Sequence, residues 1–297
     1  MLNQQALWGY LFAIGATAIW SGNFIIARGL SESISPISLA FWRWVVAVVV
    51  FLPFAIKPLI AEWEILKRNL PYLSITALLG VTTFNTLIYL AGQTTTAINL
   101  SLISITFPIF IIILSRFFYG EAITVNKGIG ILLVAAGVIL LITEGAPSIL
   151  LNLTFAIGDV WMLMAAIIFA IYSLLLKRRP EKLSIWTLQL STFILGLIFL
   201  LPFYIWDSAT VSPLEFDTKT VFAIFYVGIF ASLSAFVLWN KAIVAVGPTK
   251  AGMVYYTLPL FSGTLAYLFL KEDIGMLHFY CALLIISGIL TANYESN

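Results

Sequence analysis

The chain is 297 residues long, 62% of them hydrophobic and 9% charged, with a mean hydropathy of +1.07. Soluble globular chains are about 45–50% apolar and about 25% charged, so a water-soluble domain is excluded and an integral membrane protein indicated. A formal net charge of +2 argues against a nucleic-acid surface, and one Cys and one His argue against an internal disulfide framework or a His/Cys metal site; no cofactor is implied.

A helix needs about 20 apolar residues to cross the roughly 30 Å hydrocarbon core, and ten segments qualify. The first, 7–28, follows an N-terminus without the positive region of a signal peptide and is read as a retained span. It carries Trp20 and Asn23. The second, 37–57, contains FWRWVVAVVV and, within it, Arg43. At 1.5 Å per residue Arg43 lies roughly 9 Å into the membrane, too deep for easy snorkelling, so its side chain is expected to face the bundle. Span 71–93 carries Asn85 and Tyr89, and span 96–117 has Pro108 about midway. Glu121 follows, just before span 126–143.

Spans 156–176 and 184–206 come next, the former with Asp159 near its start and Tyr172 deeper. Span 218–242 ends on Trp239, Asn240 and Lys241; span 250–270 holds Tyr255, Tyr256 and Pro259; Glu272 precedes the last span, 275–293, which has His278 near its start. The gaps 58–70, 144–155 and 207–217 read as short loops, leaving almost no chain for a soluble domain.

With the N-terminus inside, Lys57, Lys67, Arg68, Arg116, Lys127, Lys177, Arg178, Arg179, Lys182, Lys241 and Lys250 fall on the cytoplasmic side. Arg28, Lys219 and Lys271 fall opposite. The positive-inside rule therefore places both termini in the cytoplasm, and Arg43 is the one Lys or Arg it does not explain.

The sequence also repeats. Ala91–Ser101 aligns with Ala242–Gly252, and at the same offset Pro108 meets Pro259, Glu121 meets Glu272 and Gly137 meets Gly288. ATAIWSGN at 16–23 sits near AIIFAIYS at 166–173, close to that offset. Five spans per repeat force the second copy to enter from the opposite side, giving two inverted five-helix halves, 1–145 and 146–297, with a site expected near the midplane between them.

IWSGNF, ISPISLAFWRW, TTTAINLSLISITFPIF and FFYGE, with GPTKAGMVYYTLPLFSGTLAYLFLKE as second-half counterpart, resemble the EamA-like branch of the drug/metabolite transporter superfamily over nearly the whole chain. The resemblance implies a ten-helix inner-membrane carrier with both termini inside. It further implies a central cavity lined mainly by helices one, three, four, six, eight and nine, and export of amino acids or related metabolites. Phe169-Ala170 stands where Trp-Ala is more usual in the family.

The residue chemistry gives its own candidates. Trp20, Asn23, Arg43, Asn85, Tyr89, Tyr172, Trp239, Asn240, Tyr255 and Tyr256 form the candidate substrate-binding set. For Asn23 and Asn85 interhelical hydrogen bonding competes with ligand contact, and for Trp20 and Trp239 packing competes with a cation–π surface. Pro108 and Pro259 are candidate hinges. Glu121 and Glu272 read first as acids at helix N-termini, while Lys241 and His278 read as snorkelling or solvated groups. Two roles fit Arg43: a structural or gating one, bonded to helix-end carbonyls or Asp159, or direct contact with a substrate carboxylate.

Isolated midplane polar groups, short loops and an inverted repeat point to a small-molecule carrier embedded in lipid. They do not suit an enzyme, which needs a nucleophile, metal cluster or acid–base set, or a receptor with a soluble sensor. Amides, phenols, indoles and one Arg suit a small zwitterion or carboxylate, with a broad drug or metabolite exporter as the alternative. Direction, energy coupling and oligomeric state leave no mark in the sequence.

Overall fold

Lipid offers no partner to a backbone amide, so apolar runs of this length satisfy their own N–H and C=O groups as helix. A computed structural model describes residues 4–30, 33–95, 97–142, 157–211, 216–265, 268 and 275–294, and these form helices with no strand among them. Helix α1 spans Gln4–Gly29 and α2 Pro36–Ala61, with short α3 at Trp63–Arg68. Helix α4 (Leu70–Ala77) runs through a π-helical segment, Leu78–Thr83, into α5 (Phe84–Thr94). Next come α6 (Ala97–Ser104), α7 (Phe107–Tyr119), α8 (Val125–Ile142), α9 (Ile157–Lys177) and α10 (Ile185–Thr210). A second π segment, Tyr226–Ser234, joins α11 (Thr218–Phe225) to α12 (Ala235–Val254). A 3-10 turn, Tyr255–Thr257, leads to α13 (Leu258–Leu265), and α14 is Met276–Asn293.

Among the described residues, six stretches are long and apolar enough to cross a membrane: Gln4–Gly29, Pro36–Ala61, Leu70–Thr94, Val160–Lys177, Ile185–Thr210 and Thr218–Ser262. Two shorter apolar helical stretches, Ile109–Tyr119 and Val125–Gly137, accompany them. The 45-residue run Thr218–Ser262 is not one rod. Gly247, at φ 82° and ψ 162°, occupies a region open essentially to glycine alone, and Pro248 after it lacks a donor, so the helix breaks there.

The structure corrects several sequence expectations. The gap 58–70 is helical, because α2 continues to Ala61 and α3 follows; α10 runs on to Thr210 and takes in Asp207. Span 96–117 is not continuous either. Ile105 and Thr106 break it, and Pro108 enters the first turn of α7, where its missing N–H costs nothing. Pro259 likewise takes the second position of α13, after the 3-10 turn. Neither proline therefore lies mid-helix; each restarts one. The gap 144–155, Lys271 and Glu272 lie outside the described residues, as do the side chains of Asp159, His278 and Cys281.

Packing fixes where polar groups can meet. Helix α1 lies along α12, α5 along α9, α2 along α10, and α8 along α14. Small residues permit the closest approaches. A Cβ on Gly80 would fall 2.3 Å from the Tyr172 ring, and one on Gly196 2.2 Å from Val81.

Cross-links between helix termini define the two ends of the bundle. At one, Ser35 before α2 meets Asp207 of α10, and Arg28 of α1 donates to the Gly92 carbonyl of α5. At the other, the Ser184 backbone donates to Glu62 (2.8 Å) and Lys177 of α9 pairs with Glu121 beyond α7.

Candidate functional site

Arg43 is wholly buried. Two turns into α2, it donates from Nε to the Ser232 hydroxyl in the second π segment (2.5 Å) and from Nη1 to the Tyr89 hydroxyl of α5. Tyr89 passes the chain on, donating to Asn23 Oδ1 of α1 at 3.0 Å. The guanidinium carbon lies 5.3 Å from the Trp44 ring centre and 5.5 Å from that of Tyr89. Among the described residues no carboxylate meets Arg43 and its Nη2 has no hydrogen-bond partner. Removing an ion from water costs several kcal/mol even after relaxation, and two hydroxyls and two ring faces return only part of that.

A second chain crosses the other half of the sequence. Tyr172 of α9 donates to Asn240 Oδ1 of α12 at 3.1 Å, and Asn240 Nδ2 donates to Gln189 Oε1 of α10. All three are buried, and Gln189 Nε2 has no hydrogen-bond partner among the described residues. The two chains lie at different depths. Asn23 sits in the last two turns of α1, and Tyr89, midway along α5, lies toward the C-terminal end of the longer run Leu70–Thr94, both on the Asp207 side; Gln189 sits near the start of α10 and Tyr172 near the end of α9, at the Lys177 end.

An aromatic layer connects them, meeting Arg43 through Trp44 and Tyr172 through Phe169 and Phe236. Trp20 lies edge-on to Phe169 (5.4 Å) and Phe236 (5.6 Å), and Phe169 lies 5.6 Å from Trp239. Trp44 joins Phe193 at 4.6 Å, and Tyr255 closes on Phe107 at 4.3 Å. Indole donors are satisfied by the frame itself: Trp20 bonds the Ala231 carbonyl (2.9 Å) and Trp239 the Ser173 hydroxyl (3.2 Å).

Each end carries its own closure. Ser35 and Ser38 both donate to Asp207 Oδ2, at 2.6 and 2.9 Å, tying the start of α2 to the end of α10. Opposite, Lys177 Nζ lies 2.7 Å from Glu121 Oε1 and Thr249 donates to Oε2 at 3.1 Å. Burial alone would raise the Glu121 carboxyl. The hydrogen bond and charge of Lys177, the Thr249 hydroxyl and the Lys127 charge outweigh it and hold the group below the ordinary carboxylate range. A cavity of about 670 Å³ opens beside this clasp, lined among others by Asn126, Lys127, Thr249 and Lys250.

Of the ten candidate substrate residues, the structure joins Arg43, Tyr89 and Asn23 in one chain, and Tyr172 and Asn240 in the other. Trp20, Trp239 and Tyr255 join the aromatic layer, and Tyr256 is buried with its hydroxyl unpartnered among the described residues. Asn85 stays apart: its amide donates to the Gly80 carbonyl five residues earlier, at 3.3 Å, inside its own span. The described partners of Arg43 are Ser232 and Tyr89, neither of them a helix-end carbonyl. Sequence reasoning missed Ser232, Gln189 and Asp207. Gln189 had a readable signal, the polar run Thr187, Gln189, Ser191, Thr192 inside a span, all four buried. Glu121 lies between α7 and α8 and ties Lys177, at the end of α9, to Thr249, just past the Gly247 break in α12.

The sequence profile of the EamA-like transporter family matches residues 7–143 and again residues 156–294. An uncharacterised transporter of Archaeoglobus fulgidus is 33% identical over 282 residues, spanning 92% of this chain and 91% of its own. The uncharacterised transporter YyaM of Bacillus subtilis is 24% identical across 96% of this chain and 93% of its own. A WAT1-related chloroplastic protein of Arabidopsis thaliana is 24% identical across 93% of this chain and 67% of its own. A crystal structure with 18% sequence identity shares the fold, at a TM-score of 0.74 over 96% of both chains.

Proposed function

The chain belongs to the EamA-like transporter family, and from that premise we propose an alternating-access carrier that exports amino acids or related small zwitterionic or carboxylate metabolites across the cytoplasmic membrane. In this reading ten spans form two inverted halves, 1–145 and 146–297, with both termini cytoplasmic at the Lys177 end. The doubled family match supports the two halves. So do the two π segments and the two helix breaks before Pro108 and Pro259, which recur at the offset that pairs Ala91 with Ala242. Discontinuous helices near the bilayer midplane are where secondary transporters place their sites.

One observation carries the substrate class: a wholly buried guanidinium that meets hydroxyls and ring faces, no carboxylate among the described residues, and keeps Nη2 unpartnered. A substrate carboxylate supplies the missing counter-charge through charge-assisted bonds. The aromatic layer receives the apolar remainder. That same layer favours the second reading, a broad drug or metabolite exporter, because aromatic surfaces tolerate many shapes.

Counterflow in proteoliposomes tests the assignment, with leucine as labelled probe and with and without a pH gradient. Unlabelled leucine and 4-methylpentanoate should compete, and 3-methylbutylamine, which lacks the carboxylate, should not. At matched protein abundance Arg43→Gln should abolish leucine exchange and Arg43→Lys, which keeps a charge but not the planar fork, should reduce it. Competition by the amine equal to that by leucine, or wild-type exchange in both variants, refutes the carboxylate reading.

A further inference from the structure

Gln189 repeats, at the Lys177 end, the arrangement that Arg43 heads at the Asp207 end. Each sits on one of two helices packed together, α2 and α10. Each starts a chain of three side chains on three helices, and the middle members, Tyr89 and Asn240, share the sequence offset that pairs Ala91 with Ala242. Each also keeps one nitrogen without a hydrogen-bond partner among the described residues.

A buried amide kept only as interhelical glue should spend both of its polar ends, because an unpaired buried N–H costs about 1–3 kcal/mol. Gln189 spends one. The polarity of the chain makes the other a donor: Tyr172 donates to Asn240 Oδ1, which turns Nδ2 toward Gln189, which turns Oε1 to meet it. What remains is Nε2, and the group that satisfies it must be an acceptor.

We propose that Gln189 is a second receiving point for the substrate's carboxylate, at the Lys177 end of the aromatic layer, as Arg43 is at the Asp207 end. The proposal rests on the carboxylate reading of Arg43 given above. A carboxylate entering from the Lys177 face meets a neutral amide first and the guanidinium beyond the aromatic layer. The weaker receiver lies nearer the Glu121–Lys177 clasp and the stronger one nearer Asp207.

Sidedness separates this role from a structural one. Gln189→Glu keeps the acceptor for Asn240 but replaces the free donor with a carboxylate oxygen; Gln189→Met keeps much of the volume and removes both. Initial uptake of radiolabelled leucine, measured in right-side-out and inside-out membrane vesicles with equal folded protein, presents each face in turn. From the Lys177 face KM should rise about tenfold in Gln189→Met and more in Gln189→Glu, where like charges meet, while KM from the Asp207 face stays within about twofold. An unchanged KM on both faces refutes the proposal, as does an equal rise on both faces, the pattern of general damage to the fold. A lower KM in Gln189→Glu refutes it too, since the open group would then receive an ammonium. If wild-type protein takes up neither leucine nor 4-methylpentanoate from either face, the carboxylate reading itself fails.

Discussion

Tyr89→Phe and Tyr172→Phe remove the same atom from the two polar chains, and the structure sets their costs apart. Neither substitution opens a cavity beyond one hydroxyl. At Tyr172 a single neutral bond is lost, to Asn240, and intramembrane hydrogen bonds average about 0.6 kcal/mol with a maximum near 1.7. At Tyr89 the hydroxyl both accepts from the Arg43 guanidinium and donates to Asn23. Hydrogen bonds to charged groups are worth about 1.5–3 kcal/mol, and Arg is effectively always protonated. Tyr89→Phe should therefore destabilise by about 1.5–3 kcal/mol and Tyr172→Phe by about 0.6 kcal/mol. Reversible unfolding in mixed micelles by titration with SDS reads both. An equal or larger cost at Tyr172 refutes the argument, because Arg43 would then not be a buried charge held by Tyr89.

Glu121 makes stability at the Lys177 end pH-dependent. Its folded-state carboxyl lies below the ordinary range, so its contribution is complete above the unfolded value of about 4.3 and is lost as pH falls through the lower folded value. The difference in Tm between wild type and Glu121→Gln should be present at neutral pH and vanish in acid; a constant difference down to the acid limit of folding refutes the clasp. Gly80→Ala drives a methyl into the Tyr172 ring and should cost about 1–3 kcal/mol as overpacking, with transport reduced through the displaced Tyr172. Gly128→Ala meets nothing within 4 Å and should leave Tm unlowered; equal effects of the two substitutions would refute the packing described.

Much of this was legible because a polar atom in lipid is conspicuous. Arg43, Tyr89 and Asn23 stand out as charge, phenol and amide in apolar runs, and the bundle brings them within hydrogen-bond reach. Gln189 escaped because it lies close to the start of its span, where polar residues are expected at the interface. Asp207 escaped because its segment reads as a loop until α10 is seen to run through it. The π segments leave no clear compositional trace: a shift from i→i+4 to i→i+5 bonding alters register while the residues remain mostly apolar with a few Ser and Thr, as elsewhere in the spans, and Asn85, whose amide caps a carbonyl inside one of them, looked like an interhelical group for that reason. Pro108 and Pro259 marked the right places and misled about the outcome, since proline at a helix start and proline in mid-helix look alike in sequence.

The two closures differ in cost, and the difference has a direction. At the Asp207 end a buried carboxyl takes two serine hydroxyls, and parting it from them strands a polar group with about 5% exposure, at about 1–3 kcal/mol. At the Lys177 end the ion pair is 39% and 29% exposed and borders the large cavity; exposed pairs contribute about 0–1 kcal/mol because water replaces what separation removes. Of these two closures, the Lys177–Glu121 pair is therefore the cheaper to part. In the carrier reading proposed above, opening there brings a substrate to the Tyr172–Asn240–Gln189 chain before Arg43, while the Ser35 and Ser38 bonds to Asp207 still hold the other end. Under the same proposal a substrate carboxylate would complete the ligation of Arg43 about two turns of α2 from the Ser35 and Ser38 bonds to Asp207, which puts the largest change in electrostatics close to the more costly of the two closures.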